Sequence, residues 1–246
     1  MHELLKPIKT DSLKDIFVTR FEELILSGKL TIDQKLPSER ELALQLNVSR
    51  PVVHEGLVEL ANKGLISLKP RAGAVVNDFR KYGSPEILNS LFNYHNGQLD
   101  LDILGSILSM RLLVEVETAR LASLNRSEDH LVQFDALLKR EKRIKKTDVD
   151  KLVDVDFEFH HLITLATGNI IYPLLMNSMK SIYTNLTRQF FADPKVVTPV
   201  KSFHIEMVDA IKAQDEQEAS KVMTKILRHG EKRFIQLINS RKQETS

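Results

Sequence analysis

Residues 35–65 constrain the fold of this chain more than any other stretch, because they encode two short helices whose ends are defined. Ser38 can cap the first helix, and Glu41, three residues later, completes a capping box. Ser49 can cap the second helix, and Gly64 ends it. Two capped helices joined by a tight turn predict a helix-turn-helix, whose second helix enters the major groove of DNA.

The first turn of the second helix carries side chains that suit contact with DNA. A hydroxyl and a guanidinium can reach phosphates and guanine edges, and a small apolar group can reach a thymine methyl. An imidazole lies at the end of the same turn. The predicted DNA-contacting residues of this turn are Ser49, Arg50, Val52 and His54.

A β-hairpin is predicted directly after the second helix. Two short β-forming runs, 65–69 and 74–77, flank a turn that contains proline and glycine. Lys69 and Arg71 near the tip suit contact with phosphates or the minor groove, and Gly73 allows a close backbone approach. The alternative is that both cations are solvated surface charge. With the hairpin as a wing, the N-terminal region is predicted to be a winged helix-turn-helix.

The segment LPSERELALQLNVSR followed by a wing resembles the winged helix-turn-helix of the GntR family of bacterial transcription regulators. The resemblance implies that Arg40 and Arg50 contact operator DNA. A third arginine of the family pattern is replaced by His54 in this chain. The resemblance therefore leaves the base preference at one operator position open.

Composition limits the remaining possibilities. A chain of 246 residues with 28% charged and 42% hydrophobic residues is typical of a soluble globular protein. The absence of cysteine excludes disulfides, Cys-ligated zinc and thiol catalysis. No apolar run approaches the roughly 18 residues of a bilayer span, and no signal-peptide pattern opens the chain. We expect a cytoplasmic protein without a membrane partner.

Charge is almost balanced along the chain. The net charge is +2, and residues 1–80 carry 12 Lys and Arg against 11 Asp and Glu. Affinity for DNA must therefore come from individually placed cations and not from a bulk positive field.

The fold class is predicted to be mainly α, with a domain boundary near residue 80. Residues 1–78 form the winged helix-turn-helix domain, 79–84 a linker, and 85–246 an all-helical domain. An antiparallel bundle buries the apolar faces of about seven such helices. The predicted helices are 85–95, 99–124, 127–145, 148–167, 170–192, 198–213 and 215–241.

A carboxylate and several imidazoles in this helical region are candidate metal ligands. Asp156 and His160 are four residues apart and project from one face of a helix among apolar neighbours. His204 and His229 lie in the last two predicted helices. Converging in a bundle core, these side chains would suit zinc, nickel or manganese. The alternative is that Asp156 and His160 only form a hydrogen bond with each other and that the other histidines lie at the surface.

The spacing Asp156-x-x-x-His160, the following ATGN and the later FHIEMVDAIKAQDEQEASKVM resemble the effector-binding domain of the FadR branch of GntR regulators. The resemblance implies a metal bound through Asp156, His160 and His204. Ile226 occupies the usual position of the fourth ligand. His229 lies one turn further, about 4.5 Å along the helix axis.

Arg111 is the candidate effector-binding residue. Its guanidinium projects from the apolar run 107–113 and needs an anion. Glu115, four residues on, is one candidate anion. The family resemblance implies another, which is the carboxylate of an organic-acid effector. Asn185 and Arg188 could line the same cavity, although exposure on the helix surface is the favoured explanation.

The segments GNIIYPLLMNSMKSIYTNLTRQFFADP and VNDF resemble the fatty-acid regulators of this branch more closely. That resemblance implies acyl-CoA as the alternative effector. Core packing is the other explanation for a stripe of methionine and aromatic residues. The residues that could line an acyl tunnel are Tyr172, Met176, Met179, Tyr183, Phe190 and Phe191.

These patterns predict a non-enzymatic regulator that binds a palindromic operator as a homodimer and responds to a small organic acid. The alternatives are an acyl-CoA-responsive regulator, a DNA-binding structural protein without ligand control, and a metal-dependent hydrolase built on Asp156, His160 and His204. A hydrolase leaves the winged helix unexplained, and no phosphate loop or catalytic triad pattern is present.

Overall fold

The computed structural model describes residues 12–69, 73–94 and 101–244, and it divides into two compact units, Met1–Gln98 and Leu99–Ser246. The N-terminal unit contains five helices and a hairpin in its described part. They are α1 Leu13–Leu26, α2 Glu39–Leu46, α3 Arg50–Asn62, β1 Ile66–Lys69, β2 Gly73–Val76, α4 Phe79–Tyr82 and α5 Ile87–Tyr94.

The ends of α2 and α3 follow the sequence signals with one exception. The capping box of Ser38 and Glu41 is formed, and Asn47 ends α2 in the left-handed conformation at φ 52°. This turn gives α3 its separate direction. The exception is Ser49, which occupies the cap position of α3 but makes no side-chain capping hydrogen bond. The prediction of a hydroxyl cap was therefore wrong, because its hydroxyl is not directed at the free amides.

Apolar side chains of α1, α2, α3 and the hairpin form the core of the N-terminal unit. Phe17 and Phe21 of α1 stack with ring centroids 4.4 Å apart. The strands pair antiparallel, with Ile66 opposite Val76. This core holds α3 against α1 and leaves its N-terminal turn at the surface. The buried residues include Val18, Ile25, Leu42, Val53, Leu57, Leu60 and Leu65.

Helix α5 packs on this same core. Ile87 is buried in it, and Leu91 packs against it. The buried carboxylate of Glu22 accepts a hydrogen bond from Ser90 Oγ at 2.8 Å. It also forms an ion pair with Lys63 Nζ at 2.7 Å. The compact unit therefore extends beyond the linker predicted at 79–84, because the apolar face of α5 completes the N-terminal core.

The second unit is an all-helical bundle. Its long helix α6 packs chiefly against α8 and α12, and α11 packs against α12. In its described part the helices are α6 Leu101–Asn125, α7 Glu128–Arg143, α8 Val149–Ala166, α9 Ile171–Ser178, α10 Lys180–Phe191, α11 Val197–Lys212 and α12 Glu216–Glu244.

The segment predicted as one helix over 170–192 forms two helices, α9 and α10. They meet at Met179, whose backbone leaves the helical conformation at φ −98° and ψ 2°. The break lets α9 pack on α8 independently of α10. A short 3-10 helix, Pro194–Val196, precedes α11. Among the described helices we find none with the length and apolar composition needed to cross a bilayer.

Candidate DNA surface and metal centre

The surface formed by the starts of α2 and α3 presents the predicted arginines to solvent. Arg40 is exposed and has no ion pair within the described residues. The side chain of Arg50 is 66% exposed, and its Nη2 lies 3.7 Å from Glu39 Oε2. His54 Nδ1 lies 2.8 Å from the other oxygen of Glu39. These are weak surface pairs that a phosphate or a base edge can replace.

The remaining predicted DNA contacts surround this surface. Ser49 and Lys69 are exposed, and Val52 is half-buried. Because the Ser49 hydroxyl makes no capping bond, it is free to meet an acceptor. Gly73 adopts φ +85°, a conformation that favours glycine. Arg71 lies outside the described residues.

Three of the four predicted metal ligands come together in the bundle. Asp156 and His160 of α8 meet His204 of α11, and one ligand atom from each lies within 4.8 Å of the others. All three residues are buried. His204 Nε2 lies 3.6 Å from Asp156 Oδ1 and has no hydrogen-bond partner. A buried nitrogen with no partner, directed at a carboxylate and a second imidazole, fits a divalent cation.

Each of the two imidazoles is held from behind by a buried glutamate. His160 Nδ1 lies 2.5 Å from Glu115 Oε2, and His204 Nδ1 lies 2.9 Å from Glu141 Oε1. A carboxylate that accepts at Nδ1 leaves Nε2 with its lone pair for a metal. This carboxylate–histidine arrangement is the one that orients histidine ligands in metalloproteins.

Tyr183 and Arg111 complete the polar cluster. Tyr183 donates a hydrogen bond to Asp156 Oδ2 at 2.7 Å, and burial raises the pKa of its phenol well above the ordinary value. Arg111 Nε donates to Glu115 Oε1 at 2.5 Å, and its guanidinium lies 4.5 Å from the centre of the Tyr183 ring. Burial alone would raise the pKa of Glu115, but Arg111 and His160 lower it to about 2.

His229 does not join the cluster, and its prediction as a ligand is wrong. Its ring packs against Phe190 and Phe203, with centroids 5.8 and 5.7 Å away. Ile226, one turn earlier, packs against the hydrophobic core. Among the described residues, His229 is not one of the side chains whose ligand atoms lie within 4.8 Å of one another, so that the protein supplies three ligands.

A small cavity adjoins the cluster. Its volume is about 30 Å³, and Arg111, Glu115 and Thr164 are the polar residues in its otherwise largely apolar wall. This is room for about two water molecules. Four of the six predicted tunnel residues line it, and Phe190 and Phe191 do not. The lining residues shared with the tunnel prediction are Tyr172, Met176, Met179 and Tyr183.

The three predicted effector-binding residues differ in their positions. Arg111 lines the cavity, although Glu115 already occupies its Nε and Nη2. Arg188 is exposed and pairs with Asp150, and Asn185 is absent from the cavity wall. The cavity wall therefore contains neither Asn185 nor Arg188, contrary to the prediction.

The sequence interpretation missed Glu141 and the second role of Glu115. Glu141 lies within the basic run KREKRIKK, so in the sequence it looks like one more surface charge. It lies seven residues after Phe134, and both are buried on one face of α7. That spacing was the available signal.

Comparison with known proteins assigns both units. A family model described as bacterial regulatory proteins, gntR family, matches residues 17–76, and an FCD domain model matches residues 106–229. The HTH-type transcriptional regulator Mce2R of Mycobacterium tuberculosis is 30% identical over 227 residues, covering 91% of this chain and 92% of the relative.

A second relative and a solved structure agree with this assignment. The fatty acid metabolism regulator protein of Klebsiella pneumoniae is 26% identical over 185 residues, covering 75% of each chain. The Listeria monocytogenes protein Lar has a similar structure, with a TM-score of 0.63, 16% identity and coverage of 94% of this chain and 100% of that chain. At that identity the likeness concerns the fold alone. The chain therefore belongs to the GntR family of bacterial regulatory proteins, as a transcription regulator that joins a helix-turn-helix to an FCD domain.

Proposed function

We propose that this regulator binds a palindromic operator in the cytoplasm as a homodimer, with one recognition helix in each half-site. The observation that carries this proposal is the exposure of Arg40, in the first turn of α2, and of Arg50, at the start of α3. Ser49, Val52, His54 and the wing residues Lys69, Arg71 and Gly73 supply the surrounding contacts. Two-fold symmetry of the protein would match a palindrome.

Replacing Arg50 by alanine tests this contact. We expect a loss of about 1–3 kcal/mol in specific binding, roughly 5- to 150-fold in affinity, because a guanidinium contact to a base edge is removed. The measurement is fluorescence anisotropy with a duplex selected by the wild-type protein from a random DNA pool. Lys29→Ala, an exposed cation elsewhere on the same unit, serves as the control. If the Arg50→Ala variant bound the duplex with the same affinity as the wild-type protein, the proposed contact would be refuted.

Asp156, His160 and His204 would hold one divalent metal ion, with zinc, nickel or manganese as candidates. The buried, unpartnered His204 Nε2 and the glutamates behind both imidazoles support this site. A bound ion would supply a Lewis-acidic contact for an anionic ligand. The chain itself contributes Glu115 and Glu141, which orient the imidazoles, and Tyr183, which fixes one oxygen of Asp156.

Native mass spectrometry with elemental analysis tests the metal site. We expect one metal ion per chain in the wild-type protein and none in His204→Ala, which removes one of three ligands. His54→Ala removes a histidine from the other unit and should keep the ion. Gently purified wild-type protein that lacks metal, and takes up none of the three candidate ions, would contradict the proposal.

The effector in this proposal is a small organic acid whose carboxylate meets Arg111 and the metal. Arg111 Nη1 makes no hydrogen bond within the described residues and is available to a ligand. By binding one arrangement of the subunits more tightly than another, the acid would change operator affinity by that difference. This regulatory role is favoured over a metal-dependent hydrolase by the family assignment.

An acyl-CoA is the second candidate effector, because the cavity wall is largely apolar and carries three methionines, Met110, Met176 and Met179. The similarity to the fatty acid metabolism regulator named above also supports this candidate. The cavity of about 30 Å³ would have to expand around an acyl chain. The native mass spectrum, recorded with succinate and with palmitoyl-CoA, distinguishes the two candidates by the mass that remains bound.

A further inference from the structure

A strip of cations on the second unit has no role in the sites described above. Residues 139–146, KREKRIKK, carry six Lys and Arg against one Glu. The other 238 residues of the chain carry 29 Lys and Arg against 32 Asp and Glu. The slight positive charge of the whole protein therefore depends on this one segment.

Within the described part of the chain, five of the six cations have no ion pair. Arg140 forms an ion pair with Glu158, so its charge is already compensated. The others are exposed and have no ion pair or side-chain hydrogen bond within the described residues. We name these five the basic strip. They are Lys139, Lys142, Arg143, Lys145 and Lys146.

The acidic side chains at the start of α8 are occupied by other cations. Asp148 pairs with Lys151, and Asp150 pairs with Arg188. Glu141, inside the strip, is buried and binds His204. The positive charge of the strip is therefore directed to solvent.

Helix capping explains only part of this charge. Cations in the last turn of a helix stabilise its negative end, but the effect decays within that turn. Helix α7 ends at Arg143, and Lys145 and Lys146 lie beyond it. The turn that carries them has a defined shape, because Lys201 Nζ donates to Ile144 O at 3.0 Å and Asp148 N donates to Lys145 O at 3.0 Å.

The strip suits an extended polyanion better than a small phosphate ligand. All five cations are exposed and lie along the end of one helix and the following turn. The groove beside Lys139 and Lys142 has Glu141 among its lining residues, and an acidic residue there disfavours a discrete anion. Residues 1–80 contribute a net charge of only +1, so additional phosphate contacts would matter for DNA affinity.

We propose that the basic strip is a second DNA-contacting surface, which binds the phosphate backbone without sequence preference. This inference rests on the proposed DNA-binding function and extends it to the FCD unit. Phosphate contacts position a protein on the duplex, whereas base contacts in the groove provide specificity. The strip would thus raise the affinity for all DNA and leave the preference for the operator unchanged.

The test uses a triple variant of the full-length protein, Lys142→Gln, Arg143→Gln and Lys145→Gln. Binding to a random-sequence duplex of about 40 base pairs, roughly four helical turns, is measured over a range of salt concentrations. Each lost phosphate contact lowers the slope of log affinity against log salt by about 0.9. We expect the slope to fall by about 2–3 and the affinity near 0.1 M salt to fall about tenfold or more.

A matched control removes the same charge from other exposed positions of the same unit, Lys195→Gln, Lys221→Gln and Lys232→Gln. The control should keep the wild-type slope. Equal losses in both triple variants would mean a bulk charge effect and would overturn the proposal, as would an unchanged slope in the strip variant. If Arg50→Ala also binds its selected operator normally, the proposed function fails as well. If Arg50→Ala weakens binding while the strip variant does not, only the strip is refuted.

Discussion

Gly64→Ala is expected to destabilise the N-terminal unit by about 3 kcal/mol or more. Gly64 adopts φ +73°, which is strained for any residue with a Cβ. An added Cβ would also lie 1.9 Å from the carbonyl oxygen of Tyr82, a backbone atom that cannot rotate away. The same region is tied by Ser84 N, which donates to Lys63 O at 3.1 Å. The end of the recognition helix and the segment after the wing would therefore have to separate.

Gly28→Ala is the matched control for this prediction. Gly28 also adopts φ +73°, but among the described residues no atom beyond its own chain neighbours lies within 4 Å of the position of its added Cβ. This variant should lose only about 1 kcal/mol from backbone strain. Urea unfolding followed by circular dichroism gives both values, and hydrogen exchange of α3 peptides assigns the transition to the N-terminal unit. Equal losses in the two variants would show that the close contact with Tyr82 has no energetic weight.

Glu115→Ala is expected to destabilise the helical bundle by about 3–5 kcal/mol. Glu115 neutralises Arg111, and the two side chains are only 5% and 11% exposed. Removal of the carboxylate leaves a buried guanidinium without a counter-charge and His160 Nδ1 without its partner. The measurement is urea unfolding in the presence of a chelator, so that metal binding does not contribute to the free energy.

A double variant distinguishes the buried charge from simple loss of packing. Arg111→Met with Glu115→Leu removes both charges and keeps the volume, so it should recover at least about 2 kcal/mol relative to Glu115→Ala. Glu117→Ala removes a carboxylate from the exposed side of the same helix, where Glu117 pairs with Arg120 at 2.8 Å. That change should cost no more than about 1 kcal/mol. A double variant as unstable as Glu115→Ala would refute the charge explanation.

The helix-turn-helix was predictable because its signals act between neighbours in the chain. The capping box of Ser38 and Glu41 spans three residues, and Asn47 and Gly64 mark the ends of α2 and α3 through their own backbone conformations. Hydrophobic periodicity likewise predicted a mainly helical second unit. The break at Met179 was missed, because periodicity continues through it and only the packing of α9 on α8 requires it.

The candidate site could be predicted directly where its residues share one helix, as Asp156 and His160 do. His204, on another helix, was a further candidate that the family resemblance supported as a third ligand. Glu115 lies 45 residues before His160, and Glu141 lies 63 residues before His204. Their roles depend on which helix faces meet in the bundle, and local spacing carries no information about that.

The sequence by itself therefore determined where the two helices of the helix-turn-helix begin and end and the helical class of the second unit, and it named Asp156, His160 and His204 as candidate metal ligands. Tertiary structure alone decided that α5 completes the N-terminal core, that His229 packs against phenylalanine rings, and that Arg111 already has a buried counter-ion. The physical reason is the range of the interactions. Capping and helix periodicity act within a few residues, whereas burial and charge pairing depend on segments brought together only by folding.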